Sequence, residues 1–119
     1  MKLEMYRGDS ALWNLICYQS DGETLDVSSG DLYFTAKSSP RQSDEDATFQ
    51  KTIDEGITLI NNGAYGEITV ELSPSDTSYV YAPSFLSWDL QYVTTGNKVY
   101  TLLSGELLVK PDITTIPSQ

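Results

Sequence analysis

The stretch Glu67-Ile68-Thr69-Val70-Glu71-Leu72, "EITVEL", alternates without a break: Ile68, Val70 and Leu72 on one side, Glu67, Thr69 and Glu71 on the other. A period of two is the period of a strand with one dry and one wet face. The same rhythm recurs on both sides of it. "DLYFTAK" (31–37) sets Leu32, Phe34 and Ala36 against Tyr33, Thr35 and Lys37, and "SFLSWDLQYV" (84–93) sets Leu86, Trp88, Leu90 and Tyr92 against Ser87, Asp89 and Gln91. No segment shows sustained helical spacing, so the chain reads as all-β.

Turn residues punctuate the remaining runs. "LEMY" (3–6) is followed by Arg7-Gly8-Asp9-Ser10, and "ALWNLICY" (11–18), with Trp13, Leu15 and Cys17 on one face, is closed by Asp21-Gly22. "SSPRQSDEDA" (38–47) has no apolar anchor and reads as an exposed loop around Pro40. "TFQKTI" (48–53) and "GITLI" (56–60) read as short strands, and "TTGN" (94–97) as the hairpin turn before "KVYTLLSGELLV" (98–109). In that last run Gly105 is expected to mark a bulge or a close approach of another backbone.

Ser73 at a helix N-cap, Pro74 at the first helical position and Asp76 three residues after the cap predict one short helical turn near 74–79. Some eight short strands at this spacing, with that single turn before the last hairpin, suit an immunoglobulin-like antiparallel β-sandwich over residues 1–110. A closed barrel is the alternative. "KPDITTIPSQ" reads as an extended tail, set off as 111–119.

At 119 residues the chain has the length of one domain with one core. Its opening residues lack the apolar stretch of a secretion signal, and no apolar run reaches membrane-spanning length, so a soluble protein made in the cytosol is expected. Seven basic residues against seventeen acidic ones leave a net charge of -10, which repels a phosphate backbone; nucleic acid is not an expected ligand.

Histidine is absent, and with it the commonest general base, the commonest metal ligand and every Ser-His or Cys-His dyad. Lys51 and Lys98 are not marked by any neighbour as serine-activating bases. Cys17 among apolar neighbours reads as a small buried hydrophobe. Asp44-Glu45-Asp46 lacks the ligand alternation, the glycine and the closing glutamate of a calcium loop, and reads as a solvated charge cluster. A glycosidase needs two acids flanking a cleft. Asp89, between Trp88 and Leu90, is the most interesting single acid, although the alternation turns it outward. No enzyme, cofactor or metal site is expected.

Arg7-Gly8-Asp9 is the tripeptide that integrins read, yet it falls between two strands, where Gly8 supplies a positive φ and Asp9 and Ser10 turn chemistry; it is read as a corner. Trp13 and Trp88 are assigned to the core. Tyr18, Tyr33, Tyr65, Tyr79, Tyr81 and Tyr100 are candidates for a contact surface.

Several pieces of the chain carry a resemblance: Arg7-Gly8-Asp9-Ser10, the Ser73-Pro74-Ser75-Asp76-Thr77 step, Trp88-Asp89-Leu90-Gln91, and Thr101-Leu102-Leu103-Ser104-Gly105 followed by Lys110-Pro111-Asp112-Ile113-Thr114. In this order the sequence resembles small immunoglobulin-like structural proteins of tailed bacteriophages and prophages, akin to the N-terminal domain of baseplate upper proteins. The resemblance spans nearly the whole chain and rests on fold markers, with no active site to carry over. It implies a virion component of the tail, baseplate or neck, made in the bacterial host cytoplasm, that packs as a homo-oligomer against itself and other phage structural proteins. Ile113, Thr114, Thr115 and Ile116 are the candidate partner-contact residues, as an arm beyond the domain. A glycan- or receptor-binding sandwich module is the alternative function.

Overall fold

The computed structural model describes residues 2–39 and 41–113. Eight strands follow in chain order: β1 Lys2–Tyr6, β2 Ala11–Ile16, β3 Asp31–Lys37, β4 Phe49–Ile53, β5 Gly56–Leu59, β6 Glu67–Leu72, β7 Ser84–Val93 and β8 Val99–Lys110. They form one mixed sheet in the order β1-β8-β7-β3-β4-β5-β6-β2, nearly closed into a barrel. Among the described residues, helix is confined to short 3-10 turns at Asp44–Asp46 and Pro74–Asp76 and an irregular turn at Ile60–Gly63, in which Asn61 and Asn62 take positive φ.

Most neighbouring strands are antiparallel, and two pairings are not. β1 runs parallel to β8, and β4 meets β5 in parallel through just two pairs, Thr52 with Gly56 and Ile53 with Ile57. The chain makes that sharp turn because Asp54 and Gly56 both take positive φ, at 68° and 108°, while the Asp54 N–H donates to the Ile57 carbonyl at 2.9 Å. This narrow link divides the sheet into a five-strand part, β1-β8-β7-β3-β4, and a three-strand part, β5-β6-β2.

The inward side chains of both parts meet in a single core. Ile68, Val70 and Leu72 of β6 are fully buried, as are Leu32, Phe34 and Ala36 of β3 and Leu90 of β7. Phe34 sits at its centre: its ring lies 5.1 Å from Trp88, 6.1 Å from Phe49 and 6.2 Å from Trp13. Four strands, β7, β3 and β4 of the five-strand part and β2 of the three-strand part, are thereby joined by aromatic contacts that add to their area burial. Cys17 is fully buried, and the loss of solvation pushes its thiol up to about 11.

The bulge expected at Gly105 lies elsewhere. The β7–β8 ladder slips between Leu90 and Gln91, which pair with Leu103 and Thr101, so the extra residue is Leu102. Gly105 is in regular register opposite Trp88. Its missing side chain leaves that part of the inner face to the large indole, which explains the glycine by cross-strand packing. The loop at 38–47 also holds more order than its composition suggested, since it contains the Asp44–Asp46 turn.

The Pro74–Asp76 turn forms where the cap residues place it. The Asp76 carboxylate accepts the Ser73 N–H at 2.8 Å and pairs at 2.8 Å with Lys51 of β4. The turn thus begins the crossing from β6 to β7, strands that are not neighbours, and ties it to the β4 strand.

Candidate functional site

The register of four strands builds a polar trough on the outer face of the sheet. Because outward side chains alternate, every second residue of β4, β3, β7 and β8 falls into rows running across the strands. One row reads Gln50, Thr35, Asp89, Ser104. On one side of it lie Tyr33, Gln91 and Thr101, and on the other Lys37, Ser87 and Glu106. Most of these residues line an open depression of about 630 Å³, with Asp44 entering from the 3-10 turn at its rim.

Asp89 stands in the middle of the trough. Its carboxylate accepts the Gln91 amide at 3.5 Å, a long contact, and partial withdrawal from water raises its pKa, with Lys37 lowering it and Asp44 adding to the rise. Lys37 is already engaged, donating to the Asp44 carboxylate and to the Gln42 carbonyl at 2.8 Å each. That hydrogen bond holds the Asp44 carboxyl below its ordinary range. The Gln50 amide donates to the Thr35 hydroxyl at 3.0 Å, and the Gln91 amide also reaches the Thr101 hydroxyl at 3.4 Å.

Asp89 was legible in the sequence as an outward acid on a central strand. Its neighbours were not, since β3 and β4 lie far from β7 in the chain and only the register aligns Thr35 and Gln50 with it. Among the described residues, no three His, Cys, Asp or Glu side chains gather in a way that could hold a metal ion. Asp44-Glu45-Asp46 forms an exposed turn in which the Ser43 hydroxyl donates to Asp46 at 3.2 Å.

The Arg7-Gly8-Asp9 segment is a corner locked into the body. Gly8 is buried with φ 79°, and its N–H donates to the hydroxyl of fully buried Thr77 at 2.9 Å. The Asp9 N–H closes the turn onto the Tyr6 carbonyl at 3.2 Å. Arg7 donates through Nε to Asp112 at 2.8 Å and through Nη1 to the Val80 carbonyl at 3.4 Å. A receptor-binding loop needs this arginine and aspartate presented outward, and here the guanidinium is held by its own chain.

Exposed apolar side chains collect elsewhere. On the outer face of β2 and just past its end, Leu12, Ile16 and Tyr18 are exposed; Tyr65, Tyr79, Tyr81 and Tyr100 are exposed in turns or near the β8 start. Tyr33 instead lies half-buried in the trough. Trp88 is buried and Trp13 is packed against the core. Of the four candidate contact residues in the tail, Ile113 is fully exposed, and Thr114, Thr115 and Ile116 lie outside the described residues.

No protein-family model matches the chain, and no curated protein matches it.

Proposed function

We propose that the protein is a non-enzymatic structural module of a phage or prophage virion, in the tail, baseplate or neck, acting through contacts with copies of itself and with other virion proteins. The fold within this reading is an immunoglobulin-like sandwich, with the five-strand and three-strand parts as its two sheets. The strand order supports it: the two parts are held by only two backbone pairs at β4–β5 and face each other across one core. The resemblance of the corner, the Ser73–Thr77 step and the β7 and β8 motifs to phage structural proteins supplies the setting.

The observation that carries the contact role is the contrast between the two ends of the sheet. β1 is an edge guarded by charge: Lys2 lies 3.7 Å from Glu4, and Lys110 3.5 Å from the same carboxylate. Such charges discourage strand pairing. β2, the other end of the order, presents Leu12, Asn14 and Ile16 outward with no charge of its own. An edge of this kind is a template for pairing with another chain.

Antiparallel pairing of two β2 strands about a two-fold axis through Asn14 sets Leu12 of each copy across from Ile16 of the other. Light scattering over a concentration series tests it. The wild-type chain is expected to associate, and Leu12→Lys with Ile16→Lys to give monomers of unchanged circular dichroism. A wild type that stays monomeric throughout contradicts the proposal. Mass spectrometry of purified particles tests the virion setting, where absence of the chain from every particle counts against it.

A further inference from the structure

We propose that the trough over β4, β3, β7 and β8 is a binding site for a neutral, hydroxyl-rich chain, an oligosaccharide segment, with Asp89 as its central acceptor. This goes beyond the assembly role and does not depend on it, because the trough and the β2 edge lie at different places in the strand order.

The chemistry of the trough selects the ligand class. A sugar hydroxyl both donates and accepts, and it is matched by groups that do likewise: the Gln50 and Gln91 amides and the Ser87 and Thr101 hydroxyls, with buried Thr35 beneath holding the Gln50 amide. Neighbours within a row lie about 4.8 Å apart from strand to strand, and successive rows about 6.8 Å apart along a strand, so successive ligand hydroxyls meet successive side chains. Tyr33 and Val93 at one end add apolar surface for the C–H face of a sugar ring.

Charge narrows the class further. Asp89 and Glu106 disfavour an anionic ligand, and Lys37, the cation beside them, is engaged by Asp44 and Gln42. The net charge of -10 acts in the same direction at longer range. Asp89 itself is an acceptor, and the contact it receives from the Gln91 amide is long, at 3.5 Å. Two ligand hydroxyls donating to it restore what partial desolvation removed. Its raised pKa agrees with an acceptor short of donors. A basic peptide is the rival occupant, drawn by Asp89, Glu106 and the Lys37-paired Asp44, but amides and hydroxyls make up most of the three rows.

The test uses the full chain on an array of neutral and heparin-derived oligosaccharides with hexalysine as a further probe, followed by NMR titration with the strongest neutral binder. The expected result is binding of one or more neutral oligosaccharides, with shifts confined to residues of the trough. Asp89→Asn weakens it about tenfold or more, from the strength of a hydrogen bond to a charged group. Gln91→Ala weakens it several-fold, and Tyr79→Ala, outside the trough, leaves it unchanged. No neutral binder, a preference for heparin fragments, binding of hexalysine alone, or neutral binding indifferent to both trough variants would each overturn the assignment.

Discussion

Two side chains are raised in pKa by burial. Cys17 ionises near 9 in an exposed chain and near 11 in the fold, because burial penalises the thiolate. Between those values the unfolded state has lost a proton that the folded state keeps, so stability falls as pH rises. The loss from this group reaches about 2 kcal/mol by pH 11. Urea unfolding of wild type and Cys17→Ala at pH 8, 9, 10 and 11 reads it as a difference in slope between the two proteins. Asp89 is also raised, through desolvation, so the folded state holds its proton longer than the unfolded state and stability declines as pH climbs past the ordinary carboxylate range. Asp89→Asn is therefore expected to be more stable than wild type at pH 7, and equal to it at acid pH where both are neutral. A less stable variant at pH 7 would show the carboxylate held by interactions stronger than the 3.5 Å contact.

Strands and turns depend on a few backbone positions. Gly66, at the entry to β6, has φ 71°, and a Cβ there would stand 2.6 Å from the carbonyl oxygens of both Cys17 and Leu25. Those carbonyls belong to the backbone where the β2 chain leaves the sheet, and the Cys17 N–H donates to the Gly66 carbonyl at 2.9 Å. Neither can move aside, so Gly66→Ala is expected to cost more than about 2 kcal/mol, read as a lowered denaturant midpoint with an unchanged m-value. The Lys51–Asp76 pair, 2.8 Å apart with both side chains mostly buried, ties the 3-10 turn to β4. Lys51→Met leaves the carboxylate with the Ser73 N–H and hydroxyl and no cation, and a loss of about 1–2 kcal/mol is expected in thermal or urea unfolding, between the values for exposed and buried pairs.

Across the fold, β1 and the corner after it are bound to β8 and the residues just beyond it. β1 lies parallel on β8, the Arg7 N–H donates to the Lys110 carbonyl at 2.8 Å, and the Arg7 guanidinium holds Asp112, whose carboxyl it keeps below the ordinary range. A depressed carboxylate contributes stability above its unfolded pKa and loses it as pH falls through the folded one. A chain ending at Asp112 is accordingly expected to melt like wild type at pH 7, and one ending at Lys110 to melt lower. Removing everything after Pro111 takes away this clasp together with the arm that begins at Ile113, so weakened association in light scattering belongs to the arm only if the chain ending at Asp112 shows it too.

The alternation in "EITVEL", "DLYFTAK" and "SFLSWDLQYV" specified three strands to the residue, because one face of each is buried and a slip of one position would expose the core set. Ser73, Pro74 and Asp76 specified the turn, and Gly8 the corner, since both are matters of local hydrogen bonding and backbone sterics. The bulge at Leu102 and the parallel β4–β5 link were not readable in that way. Nor was the row Gln50, Thr35, Asp89, Ser104, whose members sit on two strand pairs, β3–β4 and β7–β8, that are distant from each other in the chain. Local pattern settles which face of a strand is dry, because that depends on neighbours two residues away; which strands lie side by side, and so which polar groups share the wet face, depends on contacts between distant segments that no short stretch encodes.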